Sequence, residues 1–581
     1  MPLPREASGT FPPPERKVLI VVRSVPAAGR LLDAVEVFGD DDRIAVEFAL
    51  NPGSVSEDGI RAVLASAGVE QVLSWEEAVA RRGEFALAMA ASPKEGLHRL
   101  STAGGTAAPS GPPLLLMPHG AGHNRLVQEA DGPLRTASGL APEQLLHAGV
   151  PVPTVLALSH PEQRGRLRGP LERIRTEVVG DPSFDRMRDN EGRRDRFRRA
   201  LGVPEGGRLV VLSSTWNRDS LVGSVREGIR RVLRRLPCEE YRTALVVHPN
   251  VWHRHGRRKG LELLLRRERA AGLALVDPHE GWRAALIAAD AVVGDHGSTT
   301  YYAAALGRPV LLAAFGRDEL DPASPLHAFG AACPVLAPDE DPLRRIEEVV
   351  DAPRPRTRGL LIDRVGQAAE RLRAQCYALL GLDPPEGPVD PPPLPDPLVH
   401  AAETTAWRVA AEDGGSDLGA PVLRPRLRPA ALCGPESGAL LVSVEDPSPA
   451  RAAGAEGLVR PHAVGEAEAV AWARTALERR PGAAVAVAAL RGDEFLLAEA
   501  GAPWTRVAAQ GTGSGPDAVA VAAAATAWLH RGRSLTEWRE KGAVVRGLLE
   551  ETRLSVPPPR LISGDRRPHR RRGEGTSEAC G

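Results

Sequence analysis

The sequence has almost no lysine. Four (Lys17, Lys94, Lys259 and Lys541) stand against 70 arginines in 581 residues. A GC-rich coding sequence produces the same skew, so the arginine count alone carries no chemistry. Net charge is missing too: Lys+Arg and Asp+Glu tie at 74 each, which excludes a bulk basic or acidic binder and leaves no nucleic-acid signature. Cysteine is scarce: Cys238, Cys333, Cys376, Cys433 and Cys580 are odd in number and never in CxxC spacing. That pattern points to a reducing compartment, without a disulfide framework or a structural zinc. Long apolar runs are absent, and stretches such as Ala483 to Leu490 fall far short of the ~20 residues a membrane span needs. The opening MPLPREASGTFPPPERK is polar and Pro-rich with no apolar h-region, so no secretory signal is read there. A cytoplasmic, soluble enzyme or binding protein is the class that survives.

The composition that remains is ordinary for a folded chain, 43% hydrophobic and 25% charged, and the length asks for several domains. After a disordered N-terminus (1–16), a continuous apolar run at Val18–Val22 and expected strands at Ile44–Leu50, Phe85–Ala90, Leu114–Met117, Thr154–Leu158 and Glu177–Val179 alternate with helical patterns. Such runs suit parallel strands buried on both faces. Residues 17–200 therefore read as one Rossmann-like α/β domain. A second series, with strands at Leu209–Leu212, Ala244–Val247, Leu273–Val276, Ala291–Val293 and Val310–Leu312 and a closing helix near Val365–Leu380, makes residues 201–382 another. Two doubly wound halves in tandem imply a cleft at their strand ends. The Pro-dense segment 383–399 reads as an extended linker. An Ala/Val-rich segment, 400–554, reads as a small α+β domain of unknown role and partner, with strands at Ala439–Val444, Ala483–Ala489, Glu494–Ala498 and Thr505–Ala508. Its expected helices are Glu466–Arg479, Asp517–His530 and Leu535–Glu551. Residues 555–581 read as a disordered basic tail.

Five short elements carry the chemistry. Met117-Pro118-His119-Gly120 places a histidine at a strand end. Val179-Gly180-Asp181-Pro182-Ser183-Phe184-Asp185 is a strand entering a turn, with Asp185 as the expected helix N-cap. Ser213-Ser214-Thr215-Trp216-Asn217-Arg218 offers hydroxyls and a cation, donors able to hold a phosphate. Val247-His248-Pro249 sets a second histidine at a strand tip, where Pro249 ends the strand. Asp295-His296-Gly297-Ser298-Thr299 opens a helix, whose positive N-terminus suits a diphosphate. Taken singly, each has a plainer reading: a turn residue for His119, helix capping for Ser298 or Thr299.

In this order over some 190 residues, the five resemble the CDP-glycerol:poly(glycerophosphate) glycerophosphotransferases, the teichoic-acid polymerase family, across residues 18–380. The resemblance implies a GT-B fold, two Rossmann-like domains with the acceptor on the first and the nucleotide donor on the second. It implies transfer of a polyol phosphate or sugar from a nucleotide diphosphate to a hydroxyl acceptor, without a metal or other cofactor, in the making of a cell-wall or surface polymer. His119 would be the base and His248 a catalytic group against the donor phosphates. Thr215, Arg218, Asp295, His296, Gly297, Ser298 and Thr299 would bind those phosphates. The chain departs from the family where Ala121-Gly122-His123-Asn124-Arg125 stands in place of Thr and Lys, and in His296-Gly297 for Tyr-Ser. A nucleotide-sugar 2-epimerase on the same fold, and a non-catalytic GT-B binding or scaffold protein, stand as alternatives.

Other signals are weaker. His248, His253 and His255 are crowded by Arg254, Arg257, Arg258 and Lys259, which argues against a metal. Asp40-Asp41-Asp42 reads as a solvated loop. Gly511-Thr512-Gly513-Ser514-Gly515 lacks the Lys of a Walker loop. The helix Arg186–Arg199, with seven arginines among acids, reads as a salt-bridged face. Its second reading is contact with anionic polymer or lipid, peripheral at the inner membrane face.

Overall fold

The computed structural model describes residues 13–53, 56–93, 96–101, 111–128, 135–224, 226–352, 358–417, 420–510, 517–546 and 551–556. The Gly511–Gly515 loop, most of the Pro-rich N-terminus, most of the 102–113 loop and the basic tail beyond residue 556 lie outside them. Among the described residues no helix is long and apolar enough to cross a membrane.

Val18, Leu19, Ile20 and Val22 are wholly buried, as a strand covered on both faces requires. They belong to β1 (Arg16–Val22). With β2 (Ile44–Leu50), β3 (Val72–Ser74), β4 (Leu87–Ala90), β5 (Leu114–Leu116), β6 (Val155–Leu158) and β7 (Thr176–Val178) it forms a parallel sheet in the order β7-β6-β5-β4-β1-β2-β3. Helix α1 (Val25–Val35) follows β1, and α2 (Pro182–Asp189) and α3 (Arg194–Ala200) follow β7. Strand β3 was not expected: three residues are too few to show a period.

The second sheet contains β8 (Arg208–Ser214), β9 (Tyr241–Val247), β10 (Ala274–Val276), β11 (Ala291–Gly294) and β12 (Val310–Leu312). Its order is β12-β11-β8-β9-β10, all parallel, extended at the β10 edge by antiparallel β13 (Val399–His400). Helices α4 (Pro249–Arg254), α5 (Trp282–Ala288) and α6 (Ser298–Ala305) join these strands. In each half the order reverses beside the first strand, at β1/β4 and at β8/β11. Such a switch point leaves a crevice at the strand C-terminal ends.

Three expectations change. The helix expected to close the second half, α7 (Ala368–Leu380), instead buries Leu372, Cys376, Tyr377 and Leu380 in the core of the first, with Val18, Ile20 and Val22. Its spacing revealed a buried face but not which sheet would cover it. Asp185 does not cap α2; Asp181 does, accepting from the Phe184 amide. One turn further on, Asp185 accepts from the amides of Gly366 at 2.6 Å and Ala368 at 3.0 Å, and so secures the start of α7. The arginine-rich helix is broken into α2 and α3. Arg194 and Arg198 each pair with Asp290 at 2.6 Å, Arg186 pairs with Asp33 at 2.6 Å, and Arg196 meets Asp396 at 2.6 Å. The Pro-dense segment is laid along these helices: the Leu394 amide donates to Asn190 and the Arg193 guanidinium to the Leu394 carbonyl.

The chain divides into two compact units, Met1–Ala410 with Arg426–Arg451, and Ala411–Pro425 with Ala452–Gly581. Strand β14 (Ala406–Asp417) runs out of the first unit, and β15 (Ala420–Pro429) returns to it. Within the first unit the Leu427 carbonyl accepts from the Cys238 amide at 2.9 Å, and β16 (Ala439–Ser443) pairs antiparallel with β14 from Ala406 to Val409. In the second unit β17 (Gly457–Val464), β18 (Val485–Leu490), β19 (Glu494–Glu499), β20 (Thr505–Gln510), β21 (Ala543–Arg546) and β22 (Glu551–Ser555) pair in the order β17-β18-β19-β20-β22-β21, with β15 beyond β21. Helices α8 (Glu466–Arg479), α9 (Ala518–His530) and α10 (Thr536–Lys541) accompany them. The helix expected over Leu535–Glu551 stops at Lys541. Gly542 takes a φ of +73° there, and a Cβ on it would lie 2.4 Å from the Leu554 carbonyl, so the chain turns and Val544 and Val545 enter the sheet.

Candidate functional site

Because every main strand of both halves is parallel, the loops at their C-terminal ends converge. They enclose a cavity of about 560 Å³ within the first unit, inside the ~300–1,000 Å³ range of small-molecule sites. Arg23-Ser24 follow β1, Ser92-Pro93 follow β4 and Pro118-His119-Gly120 follow β5. From the second half come Thr215-Trp216 after β8, His248-Pro249 after β9, and His296 to Thr299 after β11. The structure thus brings His119, Thr215, His248, His296, Gly297, Ser298 and Thr299 to one cavity.

Two residues expected there are elsewhere. Asp295 is wholly buried behind the wall. Its carboxylate accepts from the amides of Thr215 at 2.9 Å, Leu221 at 2.9 Å and Gly297 at 3.0 Å, so it shapes both loops instead of meeting a ligand. Arg218 is exposed and does not line the cavity. Asn217, at a φ of +89°, turns the chain before it, and the Ser220 hydroxyl closes the turn on the Asn217 carbonyl. With Arg23, Arg30 and Arg283, the arginines that do line the cavity include Arg125. Its guanidinium stands 4.2 Å over the Trp216 ring, a cation–π contact, and donates to Glu319 at 3.1 Å. Glu319 also accepts from Asn217 at 3.3 Å and lies 3.3 Å from His296 Nε2, while His296 Nδ1 accepts from the Gly316 amide at 2.9 Å. His296 is therefore held from both ring nitrogens.

Helix α6 starts at Ser298 with Gly297 as N-cap and no side-chain cap. The plainer reading, in which Ser298 or Thr299 caps this helix, is not what the chain does. His248 caps α4 instead: its Nδ1 accepts from the Asn250 amide at 3.1 Å. A neutral ring that accepts at Nδ1 carries its proton on Nε2, so His248 offers a donor. Burial, with nearby His119 and Arg125 adding to it, pushes the His248 pKa down to about 3. His119, from the opposite half, is exposed at its strand tip.

Behind the wall a buried ionic network ties the halves. Arg30 on α1 donates to both oxygens of Asp181, at 2.5 and 2.9 Å, and is 2.7 Å from the hydroxyl of Tyr302 on α6. Arg30 also donates to the Gly120 carbonyl at 3.2 Å, fixing the turn after His119. The Gly180-to-Asp185 element is thus a scaffold, through Asp181 for this network and through Asp185 for α7.

No family profile and no curated protein matches the chain. Among solved structures it is similar to the wall teichoic acid polymerase TagF, at 10% identity over 63% of this chain and 84% of that one, with a TM-score of 0.37. The chain is also similar to the UDP-GlcNAc 2-epimerase of Neisseria meningitidis bound to UDP-GlcNAc, at 13% identity over 63% of this chain and all of that one, 100%, with a TM-score of 0.40. The UDP-GlcNAc 2-epimerase of Methanocaldococcus jannaschii is similar at 12% identity over 62% and 99% of the two chains, TM-score 0.41.

Sequence reasoning gave Arg125, Glu319 and His123 no role. Arg125 and His123 stood only where the chain departs from the family's Thr and Lys, and Trp216, the partner of Arg125, is on the other half. His123 could have been found by its nearness to His119.

Proposed function

We propose that the cavity binds a nucleoside diphosphate esterified to a polyol or to a sugar, and transfers the polyol with its distal phosphate, or the sugar, to a hydroxyl acceptor. One observation carries this reading: histidines from the strand tips of opposite halves share a cavity with a helix start that no side chain caps. The diphosphate lies against the start of α6, where Ser298, Thr299 and the helix dipole supply donors. Thr215, the His248 Nε2–H and Arg125 complete the cradle. The acceptor hydroxyl lies by His119, which takes its proton as the oxygen attacks, imidazole being the side chain suited to proton transfer near neutral pH. With a polyol phosphate donor, the bond from the distal phosphorus to the bridging oxygen breaks and nucleoside monophosphate leaves. With a sugar donor, the C1–O bond breaks and nucleoside diphosphate leaves. In either case His248 donates to the leaving phosphate.

Thermal shift against CDP, UDP, GDP and their sugar or glycerol conjugates tests the reading, since a ligand at 100 times its Kd adds about 2.7 kcal/mol. Failure of all of them to stabilise the protein overturns it. Nucleotide release that requires an acceptor separates transfer from epimerisation.

A further inference from the structure

Among the described residues Glu319 is the only carboxylate that lines the cavity, against the arginines Arg23, Arg30, Arg125 and Arg283. Its two oxygens differ. Oε2 takes all the hydrogen bonds: from the Arg125 guanidinium at 3.1 Å, from Asn217 Nδ2 at 3.3 Å and from His296 at 3.3 Å. The last is a donation, because His296 Nδ1 accepts from the Gly316 amide at 2.9 Å and a ring that accepts at Nδ1 carries its proton on Nε2. Oε1 takes no hydrogen bond among the described residues, yet it is not sealed off. It keeps accessible surface, and the side chain, 15% exposed, borders the cavity. The backbone beside it is pinned across the cleft: Leu320 forms an antiparallel bridge with Arg125, and the Asp321 amide donates to the Asn124 carbonyl at 2.8 Å. An open acceptor is thus held in place before any ligand arrives.

A carboxylate next to a phosphate cradle repels phosphate, so its open oxygen suits a part of the ligand that is not anionic. An ammonium there would be opposed by Arg125. A hydroxyl donates without charge, and its bond to a carboxylate is of the stronger, charge-assisted kind. The position agrees. Glu319 joins His296, at the entry to α6, with Arg125, which follows the His119 turn. The group carried by the diphosphate must lie between those two places to meet an acceptor at His119.

We infer that Glu319 Oε1 accepts a hydrogen bond from a hydroxyl of the polyol or sugar that the diphosphate carries, and so selects that group; this rests on reading the cavity as the site of an activated polyol or sugar.

Glu319→Gln isolates the open oxygen. The amide oxygen faces the same three donors, and its NH₂ takes the place of Oε1, so an acceptor becomes a donor with little change of shape. Calorimetry compares CDP, UDP and GDP, their glycerol and glucose conjugates, and their propyl esters, in which the carried group has no hydroxyl. In the variant the conjugates are expected to lose about tenfold in affinity relative to the bare diphosphates. The bare diphosphates themselves bind more tightly, because a negative charge has left the cradle. A distorted loop would weaken both. In the unaltered protein a propyl ester binds about tenfold more weakly than its hydroxylated counterpart, and in Glu319→Gln the two bind alike. If the variant shifts conjugates and bare diphosphates equally, or the unaltered protein binds propyl and hydroxylated esters alike, the role of Glu319 is overturned and the proposed function stands. If no nucleotide binds the unaltered protein, both fall. Should Glu319→Gln fail to fold, the propyl comparison in the unaltered protein decides: equal affinities overturn the role, and a tenfold difference supports it.

Discussion

Gly120 leaves space that Ser298 fills: a Cβ on Gly120 would stand 2.9 Å from the Ser298 hydroxyl oxygen. The turn after His119 therefore packs directly on the start of α6. Gly120→Ala is expected to turn that hydroxyl aside and weaken nucleoside diphosphate binding by about fivefold, or about 1 kcal/mol. The same change in a Ser298→Ala background costs little, and a double-mutant cycle of Kd values reads the difference. Equal losses in both backgrounds refute the contact.

Stability falls on acidification because buried histidines must stay neutral. The His123 and His248 pKa values are pushed down by burial to about 3, below the ~6.5 of an unfolded chain. A depressed histidine contributes stability in full above pH ~6.5 and loses it as the pH falls from there toward 3. At pH 4 the loss from His123 alone is about 3 kcal/mol. Urea midpoints between pH 8 and 4 measure it, and His123→Phe flattens the profile.

Nucleotide binding takes up a proton at His248. A diphosphate beside the ring offsets the positive neighbours and raises its pKa in the complex. A pKa higher in the complex than in the free protein means that affinity for CDP or UDP increases as pH falls. Calorimetry in buffers of different ionisation enthalpy counts the proton, and His248→Gln abolishes the excess over the nucleotide's own titration. Uptake unchanged in that variant refutes the assignment.

Asp295 acts through the backbone. Replacing it with Ala leaves the amides of Thr215, Leu221 and Gly297 without their acceptor and costs about 3 kcal/mol or more. Asp295→Asn, which keeps one acceptor oxygen, costs less. Chemical denaturation gives both values, and an Ala variant as stable as the parent excludes the scaffold role.

Much of this was legible in the sequence, and the reasons differ by element. Continuous apolar runs mark strands buried on both faces, and the strands from Val18 to Val22 and from Leu209 to Leu212 sit in β1 and β8. Strand-tip residues were legible for the same reason: once parallel strands are placed, the residues after them share an edge, which gathers His119, His248 and Ser298. Partners across the cleft were not legible. Arg218 was read as the phosphate cation because nothing local shows how Asn217 turns the chain. The C-terminal strands were obscured by their own residues: β14 ends in exposed Glu412-Asp413-Gly414-Gly415, and β15 alternates buried residues with Arg424, Arg426 and Arg428 and holds three prolines, Pro421, Pro425 and Pro429. A period of two was present in β15, but proline argues against a central strand.

Helix α7 sets the order in which the protein can be made. The core around Val18 and Ile20 is completed by Leu372, Cys376, Tyr377 and Leu380, which are synthesised after the whole of the second half. Domains generally fold as units during synthesis, the N-terminal one first. Here the five parallel strands of the second half are made while the first still waits for its last helix. A nascent chain arrested before residue 368 therefore carries an open apolar face beside β1, which only the arrival of α7 covers.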